Sequence, residues 1–148
     1  MKTPAVIFDM DGTLADTSAL LYLLEDEPRD YHRYHVESVS SPAHPHVVRD
    51  LILASQAGFK ILIVTARIDR YHIETLAWLG LNVPVEIERI YMRRTGDYRP
   101  DGVIKREILD LIDQAGYDVF HAWDDNPQVI AVWESEGIPV TKIEGLYK

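Results

Sequence analysis

A chain of 148 residues, 47% hydrophobic and 26% charged, has an ordinary globular composition and is long enough to bury roughly two thirds of its unfolded surface in one domain. It contains no cysteine, which excludes disulfides, thiolate metal sites and a cysteine nucleophile; no apolar run approaches the ~18 residues of a membrane span or heads a signal peptide. The net charge of −9 argues against a protein that coats nucleic acid with its whole surface. A single domain over residues 1–148, soluble and cytoplasmic, is expected.

Ala5-Val6-Ile7-Phe8 is a short apolar run stopped by Asp9, as a buried strand feeding a loop would be. Residues 15–45 carry no such pattern and read as a short insert. Val47, Val48, Leu51 and Ala54 recur at helical spacing, and Ile61 to Val64 repeats the strand pattern and ends at Thr65. A stripe of Ile73, Leu76 and Ala77 predicts the next helix, and the alternation from Val85 to Tyr91 a third strand. Ile104, Ile108, Leu111, Ile112 and Ala115 mark a further helix, and Val119 to Trp123 a fourth strand running into Asp124-Asp125. Val129, Ile130 and Trp133 mark the last helix, before an edge-like strand from Ile138 to Ile143. Local signals agree: Asp101 can cap one helix and Gly116 end it, while Asn126-Pro127 opens the last helix and Gly137 closes it.

Apolar strands alternating with helices imply an α/β, Rossmann-like parallel sheet of five strands, helices on both faces, and a ligand crevice beyond the strands' carboxyl ends. The residues at those ends are Asp9, Met10, Asp11, Gly12 and Thr13, then Thr65, Ala66 and Arg67, then a basic stretch, then Asp124 and Asp125. Carboxylates crowded together raise one another's pKa unless a cation shares them. Oxygen-only donors, few in number, suit Mg²⁺ better than Ca²⁺, with Asp9, Asp11, Asp124 and Asp125 as the metal set. From Arg89 to Arg106 the basic residues are Arg89, Arg93, Arg94, Arg99, Lys105 and Arg106 against Asp97 and Asp101, six minus two or +4. On an acidic body such a window suits an anionic ligand, although a solvated charged face fits composition equally well.

Phe8-Asp9-Met10-Asp11-Gly12-Thr13-Leu14 resembles the first signature of the haloacid dehalogenase superfamily, D-x-D-G-T after a strand. Thr65, Lys105 and Asp124-Asp125 follow in the order of its remaining signatures. The resemblance implies that Asp9 is a nucleophile forming an aspartyl phosphate, and that Asp11 is the proton carrier, an Asp there favouring phosphatase over dehalogenase chemistry. It also implies that Mg²⁺ sits on the Asp9 carboxylate, the Asp11 carbonyl and Asp124, steadied by Asp125, while Thr65 and Lys105 contact the phosphoryl oxygens and Lys105 keeps Asp9 ionised. The span from Arg93 to Ile108, with Thr65-Ala66-Arg67 and Asp124 to Ile130, is similar to the 3′-phosphatase domain of phage-type polynucleotide kinase/phosphatases. That similarity implies substrate contacts for Arg67 and Asp101, and extends the candidates to Arg99, Arg93 and Arg94.

The expected function is therefore removal of 3′-phosphate from DNA or RNA ends, at a site with a minimal cap or none, because residues 15–45 are too few for a full one. A separate kinase or ligase is an expected partner; no G-x-x-x-x-G-K-[ST] loop is present to supply a kinase here. An arginine that the family places soon after the first signature has only Arg29 and Arg33 as candidates. A small-molecule phosphatase or nucleotidase is the near alternative. A receiver-like phospho-acceptor domain uses the same residue types, but it places the acidic pair first. His32, His35, His44 and His46 crowd the insert without a familiar zinc spacing; Tyr91 and Tyr98 flank the basic window and could stack on bases or pack. Trp78, Trp123 and Trp133 read as packing residues.

Overall fold

A computed structural model describes residues 1–147. The strands are β1 (Thr3–Phe8), β2 (Lys60–Ile68), β3 (Arg89–Arg93), β4 (Tyr117–Asp124) and β5 (Val140–Lys142), all parallel, in the order β3-β2-β1-β4-β5. The helices are α1 (Tyr22–Glu25), α2 (Tyr31–Glu37), α3 (Pro45–Gln56), α4 (His72–Asn82), α5 (Asp101–Gln114) and α6 (Pro127–Ser135). Successive strand residues face opposite sides. Val6 and Phe8 therefore join Leu51, Ile63 and Trp78 in one core, and Ala5 and Ile7 join Val64, Ile108 and Trp133 in the other. Both faces of β1 are covered, which is why its sequence is an unbroken apolar run. Trp123 stacks on Phe8 with centroids 4.1 Å apart, and Trp78 and Trp133 are fully buried. Among the described residues no helix is long and apolar enough to cross a membrane.

Several elements differ from the sequence expectation. The stripe predicted for α4 faces outward, with Ile73 76% exposed and Leu76 also at the surface. The buried side is Thr75, Trp78 and Leu79, continued by Val83. This face buries a tryptophan and satisfies it, since Trp78 Nε1 donates to the Ser41 carbonyl at 2.9 Å. β3 starts at Arg89 rather than Val85, because the chain reaches β2 only at Glu88, whose N–H donates to the Ile61 carbonyl at 2.9 Å. Val85 and Ile87 still pack against the core, as loop residues. Asp101 is the first residue of α5 rather than its cap, which is Pro100, and its carboxylate turns to Arg93 and Asn126. Asn126 does cap α6, accepting from Gln128 N–H at 3.0 Å ahead of Pro127. Gly116 ends α5 at φ +91°, a left-handed backbone that glycine adopts without strain.

The insert folds into α1, α2 and short 3-10 turns. Asp30 caps α2 through the Arg33 N–H, and Tyr34 OH meets Thr17 Oγ1 at 2.8 Å. His35 stacks on Tyr71, just ahead of α4, and His32 Nδ1 lies 3.0 Å from the Tyr71 hydroxyl. The insert thus leans over the carboxyl ends of β1 and β2.

Candidate active site

The chain order reverses between β1 and β4, so the loops leaving these strands diverge and leave a crevice between them. Asp9 follows β1 and Asp124 ends β4, and the Asp9 N–H donates to the Trp123 carbonyl at 3.0 Å. The Lys105 ammonium, carried inward by α5, donates to Asp9 Oδ1 at 2.9 Å and to Asp124 Oδ2 at 2.8 Å. Thr13 Oγ1 donates to Asp9 Oδ2 at 2.9 Å, so both oxygens of Asp9 are held. Carboxylate oxygens of Asp9, Asp124 and Asp125 lie within 4.8 Å of one another, all three residues buried. Burial and the Asp124 charge push the Asp9 carboxyl well above its ordinary range, against the pull of Lys105. Burial also disfavours the Lys105 ammonium, but Asp124 and Asp9 outweigh it and keep the amine charged. One ammonium cannot balance three buried carboxylates, and hard oxygen donors at this spacing fit Mg²⁺.

Across the crevice, Arg67 grips Asp11 with two bonds, Nε to Oδ2 at 2.8 Å and Nη2 to Oδ1 at 2.6 Å. Burial alone would raise the Asp11 carboxyl; the Arg67 guanidinium wins and holds it below the usual carboxylate range. Arg67 owes its aim to the backbone. Pairing of β2 with β3 slips between Thr65 and Ile68, so Arg67 sits in an irregularity that re-aims its side chain. Thr75 accepts from Arg67 Nη1 at 3.2 Å while donating to the Tyr71 carbonyl, which gives α4 a reason to face Thr75 inward. Thr65 is buried on the same wall, its hydroxyl oxygen accepting from the Arg67 N–H.

Arg93, Arg99 and Lys105 of the basic window line the cavity, but most of the window's cations are already paired within the protein. Arg93 is buried and spends its donors on the Ala66, Asp97 and Arg99 carbonyls and on Asp101, which makes it a brace for the loop rather than a free cation. Arg99 is paired with Asp97 and Glu107, and Arg106 with Glu136. Arg94 is exposed and lies outside the cavity wall. Arg29 and Arg33 pair with Glu27 and Glu37, also outside it. The four histidines form no cluster with metal-ligand spacing: His35 and His32 lie on Tyr71, and His44 donates through Nδ1 to the Thr13 carbonyl while its Nε2 lies 3.9 Å from Asp16 Oδ2. Among the described residues the acidic triad is the one group with metal-ligand spacing.

Sequence reasoning assigned no catalytic or binding role to Thr13, Thr75, Asn126, Leu146 and Tyr147. Thr13 was visible as the threonine of D-x-D-G-T, and Thr75 only as a hydroxyl inside an apolar helix. Leu146 and Tyr147 carried no signal, yet both line the cavity. That cavity, about 710 Å³, holds Asp9 and Asp11 at its base, with Tyr31 from α2 and the 93% exposed Tyr98 among its walls. Tyr91, by contrast, packs against the core.

A five-stranded parallel sheet with D-x-D-G-T at the end of β1, a lysine on α5 and an acidic pair after β4 defines a haloacid dehalogenase-type phosphatase fold. Residues 3–145 match the family described as polynucleotide kinase PNKP phosphatase domain, and the chain belongs to that family. It is similar to a chain in the structure of a Pnkp1/Rnl/Hen1 RNA repair complex, with 28% identity and a TM-score of 0.81, covering 96% of this chain and 42% of that one. A second structure of a Pnkp1/Rnl/Hen1 complex gives 29% identity, TM-score 0.79, and 96% and 46% coverage. The chain thus spans less than half the length of these relatives. The class C acid phosphatase of Bacillus anthracis, 17% identical, covering 97% of this chain and 68% of that one, shares the fold at a TM-score of 0.72.

Proposed function

We propose that the protein is a Mg²⁺-dependent phosphatase that removes terminal 3′-phosphate from DNA or RNA and works through an aspartyl phosphate on Asp9. The observation that carries the reading is the opposition of Asp9, held by Lys105 and Thr13, to Asp11, held by Arg67, across one cavity. The Asp9 carboxylate attacks phosphorus, forming a new P–O bond as the bond to the sugar 3′-oxygen breaks. Asp11 gives that leaving oxygen its proton, then takes one from the water that attacks the aspartyl phosphate and releases inorganic phosphate. A dianionic phosphoryl group arriving beside Arg67 competes with Asp11 for the guanidinium, which frees Asp11 to carry the proton. Thr65 and Lys105 face the same space and would stabilise charge on the transferring group. Asp9, Asp124 and Asp125, with the Asp11 carbonyl, would hold Mg²⁺, which when bound offsets the repulsion between the nucleophile and the phosphate dianion.

Family membership and the cavity volume support a nucleic-acid end as substrate, since about 710 Å³ far exceeds the needs of phosphate alone. On this reading Asp101 and its partner Asn126 shape the wall that meets the terminal nucleotide. A separate kinase and ligase would precede and follow this step in end repair, as the Pnkp1/Rnl/Hen1 relatives suggest. One observation favours a small-molecule substrate: Arg93, Arg99 and Arg106 are already paired within the protein. Phosphate release from a 3′-phosphorylated oligonucleotide and from a nucleoside 3′-monophosphate, with Mg²⁺ and with chelator, tests both readings. The faster rate is expected on the oligonucleotide, with none in chelator; a faster rate on the mononucleotide would reverse the choice.

A further inference from the structure

Beyond β5 the chain returns to the site. The Ile143 N–H donates to the Asp124 carbonyl at 3.0 Å and its side chain is buried, which anchors the backbone beside the acidic pair. Two residues on, Gly145 lies against the D-x-D-G-T loop. A Cβ there would stand 2.2 Å from the Gly12 carbonyl oxygen and 2.5 Å from Asp125 Oδ2, closer than any real side chain allows. Gly12 faces the same point from the other side: at φ +82°, its Cβ would stand 2.1 Å from Asp125 Oδ2. Into the space that the two glycines leave, the Leu146 N–H donates to Asp125 Oδ2 at 2.8 Å. Asn126 Nδ2 reaches the Tyr147 hydroxyl at 3.3 Å.

We propose that Gly145–Tyr147 is a positioning strap of the site, in which the Leu146 amide fixes the Asp125 carboxylate for the cation and glycine at 145 is what lets the amide reach it. The inference rests on the cation site of the proposed function. An unanchored carboxylate turns about its last bond and must be ordered when the ion arrives; one already accepting an amide hydrogen is pre-ordered. The strap also joins the loops after β1 and β4, because Gly12 and Asp125 meet at the residue it covers.

The test is Mn²⁺ binding, read from the electron paramagnetic resonance of the free ion, with no substrate present. Leu146→Pro removes the amide donor, Leu146→Ala keeps it, and Gly145→Ala pushes the strap away. Circular dichroism and thermal midpoints identify folded variants. Leu146→Pro and Gly145→Ala are expected to weaken Mn²⁺ binding about tenfold or more while Leu146→Ala binds as the unmodified protein does. In turnover, the Mg²⁺ concentration for half-maximal rate should rise by a similar factor, with the rate restored at high Mg²⁺. Unchanged Mn²⁺ affinity in folded Gly145→Ala and Leu146→Pro would overturn the strap alone. Absence of Mn²⁺ binding by the unmodified protein would overturn the cation site and the strap with it.

Discussion

Asp9 occupies a position where function and stability pull apart. It shares a buried space with Asp124 and Asp125 and has one ammonium for relief. Asp9→Asn removes a negative charge from that crowd at nearly constant shape, and Lys105 keeps Asp124 as a partner. In chelator the variant is expected to melt higher than the unmodified protein, by roughly 2–4 °C per kcal/mol of relief at this chain length. Its turnover should fall by about a thousandfold or more, since an amide does not attack phosphorus. A lower midpoint in chelator would show that the Lys105 pairing, not the crowding, dominates. His35 gives a second residue-level expectation. Burial, against the pull of Asp11, pushes its imidazole down to about 4, so between pH 6.5 and 4 the unfolded chain binds a proton that the folded one refuses. The neutral histidine therefore costs nothing above pH 6.5, and stability falls as pH drops towards 4, by about 2–3 kcal/mol from this group. Denaturant unfolding at pH 7 and pH 4.5 should show a smaller loss for His35→Gln; equal losses would discharge His35 from that role.

At the scale of elements, the site depends on two irregular pieces tied by Arg93. Its guanidinium fills the Ala66 carbonyl at the slip in β2 and pins the loop that leads into α5. Arg93→Ala leaves those carbonyls and Asp101 unpaired and is expected to cost about 3 kcal/mol in denaturant unfolding, with a fall in kcat. A loss below 1 kcal/mol would mean that the loop holds itself. α4 supplies the contrasting case: Ile73→Lys on the outward face should change stability by less than about 0.5 kcal/mol. These elements also show where sequence reading ran out. The strands β1 and β2, the cap of α6 and the order of the acidic and lysine motifs were legible, because each rests on a local pattern of a few residues. The facing of α4 was not, since Thr75 points inward to meet Arg67, a buried arginine whose own aim is set by Asp11, 56 residues earlier in the chain. The basic window misled because its cations are taken up by Asp97, Asp101 and Glu107 close by in the chain and by Glu136 beyond α6, pairings that a sum of charges does not reveal. The strap at Gly145 depends on a contact with Gly12 that no local pattern encodes.

At the scale of the molecule, the proposed function asks an acidic protein to draw a polyanion into this cavity. Arg67 and Lys105 stand at the base of the cavity and most of the basic window is paired, so few flanking phosphates can be neutralised. Oligonucleotide turnover below saturation should fall with salt at a log–log slope of about −1, while an aryl phosphate should show almost none. A slope several times steeper would mean that the Arg99 and Arg93 pairs open on binding. The central claim is chemical, however, and one measurement addresses it directly. The protein is mixed with a 3′-phosphorylated oligonucleotide and Mg²⁺, quenched in acid within one turnover, and its peptides are mapped by mass spectrometry. Phosphate is expected on Asp9, absent from Asp9→Asn and accumulating in Asp11→Asn; turnover with no covalent phosphate on Asp9, or with the phosphate on another residue, would contradict the account.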